Sequence, residues 1–125
     1  MDRKTLLAAY PLVGVGRCVA LLDQADYNYI RQWKWELRKA ANGRLYAQFL
    51  YKGEQGRQVF YMHHAVCTRA YGPRPNTDWA CVATNGDTLD CRRENLSWRL
   101  KTELKDEALE AGRRAAREGS SAGPA

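Results

Sequence analysis

Alternating apolar and polar positions dominate the first half of the chain. Residues 33–38 and 44–51 both alternate, which is typical of half-buried β-strands. Turn-forming residues at 41–43 and 53–56 separate these strands from each other and from a third strand at 57–61. Residues 33–61 are therefore predicted to form a three-stranded antiparallel sheet.

Two helices are predicted to flank this sheet. Asp23 is a good N-cap residue for a helix at 24–32, because its carboxylate can accept from free backbone N–H groups. This helix should pack against one face of the sheet, and a short strand at 17–22 precedes it. A second helix is predicted at 62–71, where Gly72 and Pro73 end it.

The second half of the chain predicts a ββα unit. Residues 79–83 form an apolar strand, 85–87 a tight turn, 96–100 an alternating strand, and 101 to about 118 a helix. The predicted fold class is therefore α+β. We expect a sheet-and-helix subdomain at 1–62, a ββα subdomain at 63–118 and a flexible tail of small residues at 119–125.

The composition argues against a disordered chain and against a membrane-spanning protein. With 45% hydrophobic residues the chain can form a packed core, and no apolar run is long enough to span a membrane. We expect a cytoplasmic protein without a membrane partner. Four cysteines are expected to be reduced thiols rather than a disulfide or a zinc site, and Cys81 and Cys91 are the pair that a loop could bring together.

The net charge of +6 is distributed unevenly. Residues 101–118 hold five basic and five acidic side chains, which cancel, whereas residues 31–57 hold seven basic and two acidic ones. Such a local excess favours a polyanionic partner, and a merely solubilising surface is the alternative. The side chains expected on the outer face of the sheet are Lys34, Glu36, Arg38, Arg44, Tyr46 and Gln48, with Arg57 or Gln58.

The stretch around the predicted ββα turn resembles the core of a known enzyme family. Residues 81–90 read CVATNGDTLD and residues 92–96 read RRENL, which is similar to the core of HNH endonucleases of the phage homing type. The resemblance extends over residues 10–104 and includes the segments 11–12, 19–23, 33–35 and 61–63. It implies an AP2-like, DNA-reading sheet followed by an HNH-like ββα unit.

The resemblance fails at the positions that carry the family's chemistry. HNH nucleases hold one divalent metal with a carboxylate and an amide, and a histidine activates water. Those positions correspond here to Val82, Leu104 and Ala83, which can neither bind a hard cation nor accept a proton. We therefore expect no catalytic residues and no cofactor. A metal site rebuilt from His63, His64 and Asp87 is a weaker alternative to packing and turn-capping roles for these residues.

Three functions follow as hypotheses. The first is a pseudo-nuclease that binds double-stranded DNA but does not cut it. The second is a phage-encoded inhibitor that binds a host protein or ribonucleoprotein complex, such as a nucleic-acid-processing or CRISPR-type defence complex. The third is an active HNH endonuclease with a displaced metal site. For DNA contact we predict Lys34, Arg38, Arg44, Tyr46 and Arg57 on the sheet, with Arg92 and Arg93 on phosphates.

Overall fold

Four helices and three antiparallel sheets make up the part of the chain that the computed structural model describes, which is the backbone of residues 2–122 and the side chains of residues 2–117. The elements are α1 (Arg3–Ala9), β1 (Leu12–Val15), β2 (Cys18–Leu21), α2 (Gln24–Ile30), β3 (Glu36–Lys39), β4 (Leu45–Gly53), β5 (Gly56–Tyr61), α3 (Met62–Tyr71), β6 (Trp79–Ala83), β7 (Leu96–Leu100) and α4 (Lys101–Ala122). The α+β class is confirmed.

Most of the predicted elements occur where the sequence pattern indicates them. Strands β3, β4 and β5 form the three-stranded sheet, although β3 begins at Glu36 rather than at residue 33, and α3, β6 and β7 begin and end at the predicted residues. Helix α2 ends at Ile30, two residues before its predicted end. Helix α4 begins at Lys101 as predicted but continues beyond Glu118 to Ala122. Residues 119–122 of the expected tail are therefore helical in backbone, and residues 123–125 lie outside the described residues.

The N-terminal elements have no counterpart in the sequence prediction. Helix α1 has only seven residues, yet the Asp2 carboxylate caps it by accepting from the Thr5 N–H at 2.8 Å, and the Leu6 side chain is buried. Strand β1 pairs with β2 through a tight turn in which Gly16 has a φ of +57°, a value that favours glycine. Short elements of this kind depend on tertiary packing rather than on periodicity.

The sequence predicts that the Asp23 carboxylate caps α2 by a hydrogen bond to the helix, and this hydrogen bond is not formed. Asp23 occupies the N-cap position of α2, but its side chain makes no capping hydrogen bond. Its carboxylate instead accepts from the backbone N–H of Arg93 at 2.7 Å. Because that partner is 70 residues away in sequence, only the folded chain offers it to Asp23.

One hydrophobic core joins the two predicted subdomains. Val15, Ile30 and Trp35 from the first unit pack in one cluster with Val66 and Leu96 from the second. Strand β2 also bonds the ββα unit directly, because the Leu21 N–H donates to Leu89 and the Leu21 carbonyl accepts from Cys91, both at 2.9 Å. The sheet and the ββα unit are therefore fixed against each other.

The strand register decides which side chains share the outer face of the sheet. Arg38 lies opposite Tyr46, Gln48 opposite Tyr61, and Lys52 opposite Arg57, so all of these side chains lie on the face that carries Glu36. The other face carries Leu37, Ala47 and Phe49, which pack against the core. Arg57 rather than Gln58 is thus the residue of β5 that shares the outer face.

Candidate nucleic-acid interface

The three positions that the sequence resemblance assigns to the catalytic residues of HNH nucleases lie on β6 and at the start of α4. Ala83 is paired with Leu96 of β7 and is only 5% exposed, as part of the hydrophobic core. Val82, on the other face of β6, and Leu104, on α4, are half-buried. These three positions therefore offer methyl and methylene groups where the nuclease family has oxygen and nitrogen atoms.

The residues of the alternative metal site are not brought together as a ligand set. Within the described residues no group of three or more His, Cys, Asp or Glu side chains is close enough to hold a metal ion. The rings of His63 and His64 are neighbours, with centroids 4.6 Å apart. The Asp87 carboxylate, however, accepts from Arg3 and from the Leu89 N–H in the turn after β6.

Both histidines are held in the neutral form near pH 7. Burial, together with the neighbouring His64, lowers the pKa of His63 to about 3. Burial and the nearby Arg74 also lower the pKa of His64. Neutral imidazole rings do not attract phosphate by charge, but each keeps one donor and one acceptor nitrogen for hydrogen bonds.

Arg92 and Arg93 are engaged in ion pairs inside the protein. Arg92 donates two hydrogen bonds of 2.8 Å to the Asp90 carboxylate, and Arg93 donates to both Asp26 oxygens at 2.8 and 2.9 Å. Both carboxylates are fully buried. Because fixed carboxylates already hold these two guanidinium groups, with Asp26 shared between Arg93 and Arg69, the groups are less available to phosphate than an arginine without such a partner.

Polar side chains fix the loop between β6 and β7. Asn95 donates to the Asp90 carbonyl at 2.9 Å and to the Asn85 side chain at 3.0 Å, and Asn85 in turn donates to the Asp90 carboxylate at 2.9 Å. Burial would raise the pKa of Asp90, but hydrogen bonds from Arg92 and Asn85 outweigh it and lower that pKa. The polar side chains of this loop are thus held in a network of hydrogen bonds to one another.

The cysteines are all free thiols, and their arrangement differs from the expected one. The Cys81 thiol donates to the His63 carbonyl at 3.5 Å, and the neighbouring Cys81 thiol lowers the pKa of Cys67 on α3. Cys91 is fully buried, and its thiol donates to the Thr88 carbonyl at 3.5 Å. Cys81 and Cys91 are therefore not bonded to each other.

The predicted basic residues of the sheet lie at the surface without acidic partners. Lys34, Arg38, Arg44 and Arg57 are exposed, and none forms an ion pair with any side chain of residues 2–117. Arg38 and Arg44 lie beside half-buried Tyr46 at the β3–β4 turn, whereas Arg57 lies at the β4–β5 turn. At the rise of an extended chain, the two groups are separated by about 20 Å along the strands.

A cleft of about 380 Å³ adjoins the Arg38 end of this face. It lies between the sheet, the start of α3 and the ββα unit. Its lining includes Arg38, Tyr46, Tyr61, His63, His64, Arg74 and Lys101. Arg74, Lys101 and Tyr61 were not predicted for this surface, because they come from three distant segments and no sequence spacing links them.

A second, apolar groove of about 290 Å³ lies on the opposite side of the sheet. Phe49 stacks on Trp33 and on Phe60, with ring centroids 5.6 and 5.4 Å apart. Tyr51 and Phe60, at the outer end of this aromatic row, are 52% and 44% exposed. Trp35 is buried, and Trp79 and Trp98 are half-buried. An exposed aromatic surface therefore lies along the β4–β5 hairpin.

No helix within residues 2–122 combines the length and the apolar character that a membrane span requires. Comparisons of the chain with protein-family models, with curated proteins and with solved structures give no match.

Proposed function

We propose that this protein is a non-cutting relative of the phage HNH endonucleases that binds double-stranded DNA. The observation that carries the proposal is a set of exposed cations at the two ends of the sheet's outer face, Arg38, Arg44 and Arg57, none of which pairs with an acidic side chain within residues 2–117. The three positions that the HNH resemblance assigns to catalysis are all apolar. Such a protein acts where nucleic acid is available to it, in the cytoplasm of its host cell.

The unpaired cations support contact with the DNA backbone. A cation that has no acidic partner within the protein can neutralise a phosphate and release its counterion, which favours binding at low salt. Arg92 is paired with Asp90 and Glu94, and Arg93 shares Asp26 with Arg69, so these two fixed guanidinium groups contribute less to such binding. A twisted sheet can lie along the major groove, where Arg38 and Arg44 have the reach to contact guanine.

Burial of Ala83 in the core supports the loss of cutting. A histidine base must face the scissile phosphate, but at this position the side chain packs among core residues such as Leu96. Apolar packing of side chains the size of Val82 and Leu104 stabilises the fold by roughly 1–2 kcal/mol each when they are buried. The ββα unit then serves as a scaffold that holds the sheet.

The sheet can be tested with a double variant and a matched control. We expect Arg38→Ala with Arg44→Ala to weaken binding to random duplex DNA and to reduce the slope of log K against log salt by roughly 1.8, because two phosphate contacts are lost. Arg113→Ala with Arg114→Ala removes the same charge from the exposed surface of α4 and should leave the slope nearly unchanged. A slope that stays the same in both variants would remove the sheet from the interface.

Cleavage is tested with the same preparation. Plasmid DNA incubated with the protein and Mg²⁺, Mn²⁺ or Zn²⁺ is expected to remain intact. Cutting that disappears in His63→Ala or His64→Ala would instead favour an endonuclease with a displaced site.

The apolar groove favours a protein-binding function as the second candidate. Exposed aromatic residues such as Tyr51 and Phe60 are common in protein interfaces and have no role in contacting phosphate. In this alternative the protein is an inhibitor, encoded by a phage, that docks on a host nucleic-acid-processing or CRISPR-type defence complex. Recovery of one such complex from nuclease-treated lysate, lost in Phe60→Ala but retained when Arg38 and Arg44 are changed, would favour it.

A further inference from the structure

We propose that the cleft beside Arg38 holds one unstacked nucleotide, so that the protein binds DNA with a single-stranded segment more tightly than continuous duplex. The inference rests on the proposed DNA-binding function and adds the class of DNA that this surface prefers. It is carried by a concave site in which cations, aromatic rings and a neutral, unpaired imidazole converge.

The rim of the cleft is suited to phosphate. Arg38, Arg74 and Lys101 come from β3, from the loop after α3 and from the start of α4, and all three are exposed. None of them forms an ion pair with a side chain of residues 2–117, and no carboxylate lines the cleft. A cluster of three cations without a counter-charge attracts a phosphodiester or a terminal phosphate.

The interior of the cleft is suited to a base. Half-buried Tyr46 and Tyr61 have ring centroids 6.2 Å apart and present aromatic surface to the cleft, and Trp79 lies on the side of the ββα unit. Unstacked bases bind to proteins by stacking on such rings. The tyrosine rings on the strands thus offer a stacking surface to an unstacked base. A base inside a duplex cannot stack on these rings, because the adjacent base pairs cover both faces of that base.

His63 adds an unsatisfied polar group at the same place. Its ring contacts both tyrosines, at 5.3 Å from Tyr46 and 5.8 Å from Tyr61, and the residue is 95% buried. Its Nδ1 atom has no hydrogen-bond partner within the described residues. A buried nitrogen without a partner is unfavourable, so a rotation of the ring that brings Nδ1 to the polar edge of a bound ligand supplies the hydrogen bond that this atom lacks among the described residues.

The size of the cleft selects the ligand. A volume of about 380 Å³ lies at the lower end of the range for small-molecule sites and matches one nucleotide rather than a duplex. A nucleotide that has left its stack can therefore enter while the neighbouring duplex remains on the sheet, since Arg38 and Tyr46 belong to both surfaces.

The test compares two DNA molecules that differ only in an unpaired segment. Fluorescence anisotropy is measured with a duplex and with the same duplex carrying a three-nucleotide single-stranded flap, at one salt concentration. We expect the flap DNA to bind on the order of tenfold more tightly, the factor typical of one base stacked on aromatic side chains. Both Tyr61→Ala and Arg74→Ala should lose this preference while still binding duplex.

A matched variant locates the effect. Tyr51→Ala removes an exposed tyrosine from the apolar groove on the other side of the sheet and should keep the preference for the flap. Equal affinity of the wild-type protein for both DNAs overturns the inference and leaves duplex binding in place, as does a preference that survives both cleft variants. Failure to bind either DNA overturns the inference together with the proposed function.

Discussion

At the scale of single residues, buried carboxylates form ion pairs with arginine side chains. Asp26 of α2 is fully buried and accepts from Arg69 of α3 at 2.9 Å and from Arg93 before β7. Burial would raise the pKa of Asp26, but the hydrogen bonds from Arg93 and Arg69 outweigh it and lower that pKa. The stability that this carboxylate contributes is thus complete above its ordinary pKa of 3.8 and is lost as the pH falls through the folded-state value.

Replacing Asp26 with asparagine tests this contact. We expect Asp26→Asn to lower the free energy of unfolding at pH 7 by about 2 kcal/mol, less than the full penalty for a broken buried pair because both guanidinium groups remain about one-third exposed. Urea unfolding at pH 7 and in the acid range measures it, and the variant should lose less stability in acid than the wild type. Asp78→Asn, at an exposed position, is the control, and equal stability of both variants at pH 7 would contradict the assignment.

At the scale of elements, the local sequence pattern was sufficient to predict a helix or strand that is long or that ends at a turn-forming residue. Alternation identified β3 and β4, the turn residues at 53–56 marked the start of β5, and Gly72, with a φ of +89°, ends α3 as the sequence indicates. Helix α1 was not predicted, because its seven residues are stabilised by burial of Leu6 against the rest of the molecule. Helix α4, in contrast to α1, was predictable because its residue composition alone favours a helix. Residues 105–117 of this helix are all exposed.

Truncation of α4 tests how much of this helix the fold requires. A chain that ends at Gly112 should change the free energy of unfolding by less than about 0.5 kcal/mol, because the removed side chains that the structure describes are exposed. Its far-ultraviolet circular dichroism should lose helical signal. Leu104→Ala, at the half-buried start of α4, should cost more, about 1 kcal/mol. A larger loss from the truncation than from Leu104→Ala would show that the distal half of α4 packs on the protein.

The whole molecule is organised around one core rather than two. Trp35 and Met62 lie in the same cluster as Val66, Ala83 and Leu96, although the sequence placed the first two and the last three in separate subdomains. Neither the sheet nor the ββα unit can bury its apolar face alone, because each uses the other as its second layer. The two units should therefore unfold together.

Cooperative unfolding is the corresponding prediction. We expect thermal and urea unfolding to give a single transition, with tryptophan fluorescence and far-ultraviolet circular dichroism following the same curve. A fragment of residues 63–118 should be unfolded on its own because it lacks the partners of Val66 and Leu96. Two separate transitions, or a folded fragment, would indicate independent domains.

Some residues of the candidate site were predictable from the sequence, and others were brought together only by the tertiary structure. Arg38, Arg44 and Tyr46 were predictable, because alternation places them on one face of neighbouring strands. The cleft was not, because Arg74 and Lys101 meet Tyr61 only after the ββα unit has packed against α3 and the sheet. The ion pairs that occupy Arg92 and Arg93 were equally hidden, since a basic residue in a sequence gives no sign of which carboxylate it will meet.

The sequence by itself determined the strand and helix periods, the turn positions, the basic residues of the sheet and the apolar side chains of Val82, Ala83 and Leu104, because each of these is a local property of the chain. Only the tertiary structure decided that two predicted units share a core, that Asp23 bonds Arg93 instead of its own helix, and which cations remain unpaired. Contacts between residues far apart in sequence depend on packing, and packing is settled by the whole molecule at once.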